Sequence, residues 1–314
     1  MSASGEPRSI IRLMVASKWT AVAELIHVST NAYYTSHGMS AIFEEGPEKT
    51  TRLFCEVYET LDPGCCLVAE HPDTGRLMGS CFYHPRETHY SLGIMNVHPS
   101  YFGKGVARHL LTAITDCADA DEKPTRLVSS ALNIDSFSLY SRAGFVPHTT
   151  FQDLLVTVPP EGVNAASLEP PVRDATLDDL DSIVSLEQDV AGISRTRDWA
   201  YLIQNQLGVW RVSVSANRDG QLMGVLASIG HPGSRIVGPG AMRNEAAAIA
   251  LAAAQLNYHV GQTVLILVPV LSRGLLETVY SWGGRNCEIH FVQCRGAYTS
   301  IDRIVIPSFM PETA

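Results

Sequence analysis

The chain has 314 residues, 46% of them hydrophobic and 18% charged, with a formal net charge of −9. That length allows one large or two ordinary domains with a sizeable core. The acidic balance argues against a nucleic-acid binder, which presents a basic face, and accommodates a cationic amine. Residues 1–8 are small and polar and no apolar run approaches the length of a membrane span, so the expectation is a cytoplasmic chain without a signal peptide. Seven cysteines, Cys65 and Cys66 adjacent but none in a C-x-x-C pair, read as reduced, buried thiols.

In chain order, Ile10 to Leu13 reads as a strand and Trp19 to Thr30 as a helix, with Val22, Ile26 and Ser29 in register. Residues 31–48 carry Tyr33, Tyr34, His37, Met39 and Phe43, either core aromatics or the lining of a cleft. Cys65 to Glu70 and Leu77 to Tyr83 form an expected antiparallel pair about the turn His71 to Gly75. Leu92 to Val97 suits a buried strand, followed by a turn through Pro99 and Ser100 and the glycines of Gly103-Lys104-Gly105. Val106, Leu110, Ala113, Ile114 and Cys117 then share one helical face.

Strand, glycine turn and helix in that order suit an anionic ligand. The first N–H groups of a helix lack intrahelical partners, the dipole adds partial positive charge, and a Cβ at Gly103 or Gly105 would hold a phosphate off the backbone. A plain tight turn would use the same residues. Downstream, Thr125 to Leu132 reads as a strand, Asn133 and Asp135 as helix-start residues, Ser136 to Ala143 as a helix and Gly144 as its C-terminal stop.

Val97-x-Pro99, then Phe102-Gly103-Lys104-Gly105-Val106-Ala107, resembles the pyrophosphate loop of the GCN5-related N-acetyltransferases (GNAT family). Asn133, Leu139-Tyr140 and Gly144-Phe145 resemble that family's second signature, in the correct order. The resemblance implies an α/β (α+β) fold with a mixed, mostly antiparallel sheet flanked by helices, and acetyl-CoA or another acyl-CoA as cofactor. It implies that the backbone of Met95, Asn96 and Val97 holds the thioester and pantetheine end. Gly103, Lys104, Gly105, Val106, Ala107 and Arg108 would hold the pyrophosphate, Asn133 and Ser136 would flank the pantetheine arm, and Tyr140 would protonate the thiolate. Residues 31–48 would line the acceptor side. The sequence departs from the family twice: Phe102 stands where Gln or Arg is usual, and neither Leu92 to Met95 nor the neighbourhood of Val128 offers the usual carboxylate base. His89 is the proposed substitute base, with His98 and Glu87 as further titratable groups nearby.

Beyond Leu154 to Val158, the proline-bracketed residues 159–171 read as a linker. From Val172 the pattern restarts. Val172 to Ile183 repeats the strand-then-helix opening, Arg211 to Ala216 and Leu222 to Ser228 a hairpin, and Ala246 to Leu256, Val264 to Val268 and Leu275 to Ser281 a helix, strand and helix. Val237-Gly238-Pro239-Gly240-Ala241 stands in the place of the glycine turn, where Pro239 lacks an N–H. Val279-Tyr280 with Gly284 parallels Leu139-Tyr140 with Gly144, and Tyr280 is expected in the core. The expected organisation is two tandem GNAT-like domains: a catalytic domain at 1–158, a linker at 159–171 and a degenerate, scaffolding domain at 172–314.

The expected function is direct transfer of an acyl group from acyl-CoA to a small-molecule or protein amine, with no metal, nucleic acid or membrane involved. A homodimer stays open. The alternative is a non-catalytic module that senses acyl-CoA or binds a partner, which the missing carboxylate and Phe102 would explain. Tyr140, Asn133 and both loop glycines favour the enzyme.

Overall fold

A computed structural model describes residues 9–164, 169–300, 303–310 and 312–313. The expectation for residues 1–8 and the middle of the linker, 165–168, lies outside the described residues. The chain has a mixed α/β fold and divides into two compact units: Met1–Pro85 with Tyr90–Thr125, and Arg86–His89 with Arg126–Ala314.

In the first unit, the strands β1 (Ile10–Leu13), β2 (Cys66–Glu70), β3 (Leu77–Pro85) and β4 (Tyr90–Val97) lie side by side in that order, all antiparallel. Three helices accompany them: α1 (Trp19–Ser36), α2 (Arg52–Leu61) and α3 (Val106–Ala120). Helix α1 runs a turn and a half beyond the expected Thr30, so Tyr33 and Tyr34 are helical; of the aromatics singled out, only Phe43 is fully buried. Helix α2 inserts Leu53, Phe54, Val57, Tyr58 and Leu61 into the core from one face. On α3 the buried stripe is Val106, Leu110, Leu111, Ile114 and Ala118, one residue rotated from the expected one, which leaves Cys117 exposed.

Between β3 and β4 the register advances from Cys81↔Met95 to Tyr83↔Leu92. Two steps on β3 therefore face three on β4, a one-residue bulge at Gly93–Ile94. Side chains of β3 alternate between two faces. A Cβ on Gly79 would meet Val106 and Leu110 of α3 at 2.9 and 3.2 Å, so that face is packed tightly on α3. His84 and Phe82 turn the other way, onto Tyr58 of α2, with ring centroids 4.6 and 4.9 Å away.

The second unit contains β5 (Thr125–Ser130, from Arg126 on), α4 (Ile134–Arg142), β6 (Val146–Thr157), β7 (Val172–Asp174), α5 (Leu180–Ala191), α6 (Thr196–Gln204), β8 (Trp210–Ala216), β9 (Leu222–His231), β10 (Ser234–Met242), α7 (Glu245–Asn257), β11 (Thr263–Pro269), α8 (Arg273–Ser281), β12 (Arg285–Arg295) and β13 (Ile304–Ile306). Its strand order is β5-β12-β6-β11-β10-β9-β8-β7, with β13 on β10. Strand β6, expected to close the first half, pairs with β11 on one edge (Leu155↔Leu265) and β12 on the other (Phe151↔His290). The strands that follow α4 and α8 have therefore changed places between the repeats. For this reason the compact units do not divide at 159–171. Val163 of that stretch is itself buried, and Asn257 of α7 clasps it through both backbone groups at 2.7 and 3.1 Å.

Candidate active site

In the first half a glycine-bearing loop leads into a helix start without a side-chain cap. Residues 98–105 join β4 to α3. His98 caps a short turn by accepting from the Ser100 N–H at 3.2 Å. Gly103 and Gly105 then take φ of +73° and +76°, values that L residues rarely adopt. Gly105 is the N-cap of α3 and supplies no side-chain cap, so the helix presents its first N–H groups past a residue without a Cβ. Lys104 folds over the Tyr101 ring at 5.2 Å, Arg108 is exposed, and Phe102 is 51% exposed at the start of the loop.

The same location in the second half is closed. The bulge recurs on β10, where Val237↔Ser228 jumps to Gly240↔Leu226. Residues Val237 to Ala241 are thus the counterpart of the β4 bulge and lie inside a strand, not in the glycine turn expected there. Only Arg243 and Asn244 connect β10 to α7. The Asn244 side chain accepts from the Ala247 N–H at 2.9 Å, and Glu245 puts a carboxylate on the first turn, where it also accepts from the Gly274 N–H at 2.9 Å. A phosphate would meet a filled cap and a like charge. Beyond the bulge, β10 parts from its parallel partner β11, which it pairs only at Ile236 and Val237, and the chain's own β13 takes over at Gly240, Ala241 and Met242. A Cβ on Gly238 would stand 2.2 Å from the Pro307 carbonyl oxygen, so β13 is seated hard against the bulge. In this half the chain's own residues fill the place of the glycine turn.

The residues singled out from the sequence fall into both units. Met95, Asn96, Val97 and the loop from Gly103 to Arg108 belong to the first; His89, Asn133, Ser136 and Tyr140 belong to the second. Asn133 is the N-cap of α4, its Oδ1 accepting from the Ser136 N–H at 3.0 Å. Tyr140 is 7% exposed and packs on Phe145. Its counterpart Tyr280 is not core: it is 44% exposed and donates to Gln152. His89 is buried before β4, its Nδ1 3.0 Å from the Thr88 hydroxyl. All seven cysteines are free thiols, but Cys117 and Cys287 are exposed rather than buried. Burial pushes the Cys55 thiol up to about 12, the wrong direction for a nucleophile.

One pair escaped the sequence reading. His84 of β3 and Asp62, which ends α2, are 1% and 2% exposed at their side chains, with Nδ1 and Oδ2 2.7 Å apart. His84 Nε2 looks at the bulge: a Cβ on Gly93 would come within 2.9 Å of it. A lone histidine ending an otherwise apolar strand was the available signal, but its partner 22 residues earlier was not a pattern.

A family model for the acetyltransferase (GNAT) domain matches residues 62–147. The chain carries a GNAT domain. Solved structures show the same fold over nearly its whole length. A candidate acetyltransferase from Pyrococcus horikoshii is 14% identical with a TM-score of 0.74, covering 96% of this chain and 95% of its own. A tandem GNAT protein of the clavulanic acid biosynthesis pathway is 14% identical, TM-score 0.61, over 93% and 100%. The Saccharomyces cerevisiae N-myristoyltransferase, solved with myristoyl-CoA, is 11% identical, TM-score 0.58, over 95% and 84%. A comparison with curated proteins finds no match. Among the described residues no helix is long and apolar enough to cross a membrane.

Proposed function

We propose that this GNAT protein is an acyl-CoA-dependent N-acyltransferase, with acetyl-CoA as the first donor to test and a small or protein amine as acceptor. One observation carries the reading. A bulged strand runs into a glycine-capped, side-chain-free helix start, within the residues that match the GNAT domain. Tandem GNAT and acyl-CoA-bound relatives of the same fold support it.

In this reading the α3 start and Lys104 hold the pyrophosphate, the backbone of Met95 to Val97 receives the thioester, Asn133 and Ser136 flank the pantetheine arm, and Tyr140 returns a proton to the thiolate. Such transfer needs a neutral amine beside the thioester and a group to take its proton. The acceptor is proposed to be cationic before reaction, in keeping with the net charge of −9. Release of free CoA thiol from acetyl-CoA, with and without spermidine, tests the function. Tyr140→Phe is expected to slow amine-dependent release about 10-fold or more while leaving acetyl-CoA affinity within twofold. Equal rates in the two proteins would remove Tyr140 from the mechanism.

A further inference from the structure

The transferase reading leaves open which group takes the proton of the amine: neither β4 nor β5 carries a carboxylate there, and His89, the base expected from the sequence, belongs to the second unit with its Nδ1 on the Thr88 hydroxyl. We infer that His84, held by Asp62, is the proton acceptor for the attacking amine. This rests on the transferase reading above.

The geometry begins at the bulge. Gly93 has no side chain, and the imidazole of His84 fills the space a side chain would take, with Nε2 2.9 Å from the ideal Cβ position. Asp62 Oδ2 is 2.7 Å from Nδ1, so the proton of the neutral ring belongs on Nδ1, where it is donated to the carboxylate. That tautomer leaves the Nε2 lone pair directed at β4. Tyr58 stands edge-on to the ring, with planes 65° apart, and fixes its orientation. From α2, Asp62 and Tyr58 face the imidazole, with Glu59 behind Asp62 and raised above its ordinary value mainly by its own burial; β4 presents Ser91 and Gly93.

A second observation leaves polar groups open to a ligand or water on this face of β3 and β4. Asn96 Nδ2 donates to Ser29 Oγ at 2.8 Å, and Ser29 Oγ itself donates to the Leu25 carbonyl at 2.7 Å. The chain of donors fixes which way the Asn96 amide lies and leaves its Oδ1 as the open acceptor. Asn96 Oδ1 and the hydroxyl of Ser80, its cross-strand partner, are buried and have no hydrogen-bond partner among the described residues. Buried polar atoms of this kind cost about 1–3 kcal/mol each unless a ligand or water meets them. The repeat supplies an internal control. At the register of His84, β9 carries Ile229, fully buried and paired with Ile236, so the fold itself does not require an imidazole there.

The step balances. The amine lone pair forms the C–N bond, the C–S bond breaks with its electrons on the CoA sulfur, and one N–H proton passes to His84 Nε2 directly or through one water. Asp62 stabilises the imidazolium so formed and touches nothing that reacts; it is a positioning residue.

The test uses the full chain with acetyl-CoA and spermidine. His84→Gln is expected to lower kcat/KM about 100-fold or more and to remove the acidic limb of the pH profile, with acetyl-CoA affinity by calorimetry unchanged within twofold. Asp62→Asn is expected to lower the rate about 10-fold and to shift that limb. Nitrogen-15 spectra of the wild-type histidines at pH 7.5, with acetyl-CoA present, give a readout independent of turnover and of variant folding. A neutral His84 with its proton on Nδ1 supports the inference; a proton on Nε2 overturns it, as does a His84→Gln rate within threefold of wild type. Failure of wild type to bind acetyl-CoA would instead remove the transferase reading.

Discussion

At the scale of single residues, the chain shows how much hangs on side chains that local patterns do not connect. The loop glycines were legible because an αL turn before a helix has few other solutions, and Asn133 because an N-cap has a narrow choice of residues. Asp62 and His84 were not, since a long-range buried pair leaves no period in the sequence; nor was the rotated face of α3, where Leu111 and Ala118 displaced Ala113 and Cys117. A second buried cluster was equally invisible: Arg86 grips Asp198 at 2.6 Å and Arg195 grips Glu187 at 2.6 Å. One residue-scale prediction concerns the second repeat's opening. Thr176 and Asp179 form a reciprocal cap, and the hydrogen bond from Arg173 is the main force that holds the Asp179 carboxyl down at about 2. A depressed carboxylate stabilises the fold above its unfolded value of about 4, and that stability is lost as pH falls through the folded value. Asp179→Asn should therefore cost about 1 kcal/mol in urea titrations at pH 7. The deficit should shrink between about pH 4 and pH 2; a deficit unchanged at pH 2.5 would contradict the assignment.

At the scale of elements, most strands and helices of both halves stand close to where hydrophobic alternation placed them. What alternation could not reveal is which strand neighbours which, because pairing is set by chain crossing and turn geometry rather than by period. The exchange of β6 and β12 is of that kind. So is β13, three apolar residues too short to read as an element, which complete β10 beyond its bulge. Ile304, Val305 and Ile306 are 5%, 6% and 0% exposed, and Ile304 and Ile306 join the same core as Leu251, Leu256 and Val268. Ile306→Ala should cost about 2–5 kcal/mol by equilibrium unfolding, as a fully buried large-to-small change. A loss under about 1 kcal/mol would mean that β13 is a loose appendage and that the cleft of the second repeat is open.

At the scale of the molecule, two repeats of one architecture differ most in their connections. From the bulge of β4 the chain spends residues 98–105 on a glycine-lined approach to α3; from the bulge of β10 it passes through Arg243 and Asn244 into a helix whose first turn carries Glu245. The first repeat keeps His84 where the second has Ile229, and an unfilled helix start where the second has a filled one. One acyl-CoA site per chain is expected, at the α3 start. Calorimetric titration of acetyl-CoA into wild type and into a Gly103→Asp/Gly105→Asp variant tests this most directly. One equivalent bound by wild type and none by a variant with an unchanged circular dichroism spectrum is the predicted result. Two equivalents, or binding that survives in the variant, would place a ligand in the second repeat and contradict the account; no binding to wild type would end the acyl-CoA reading.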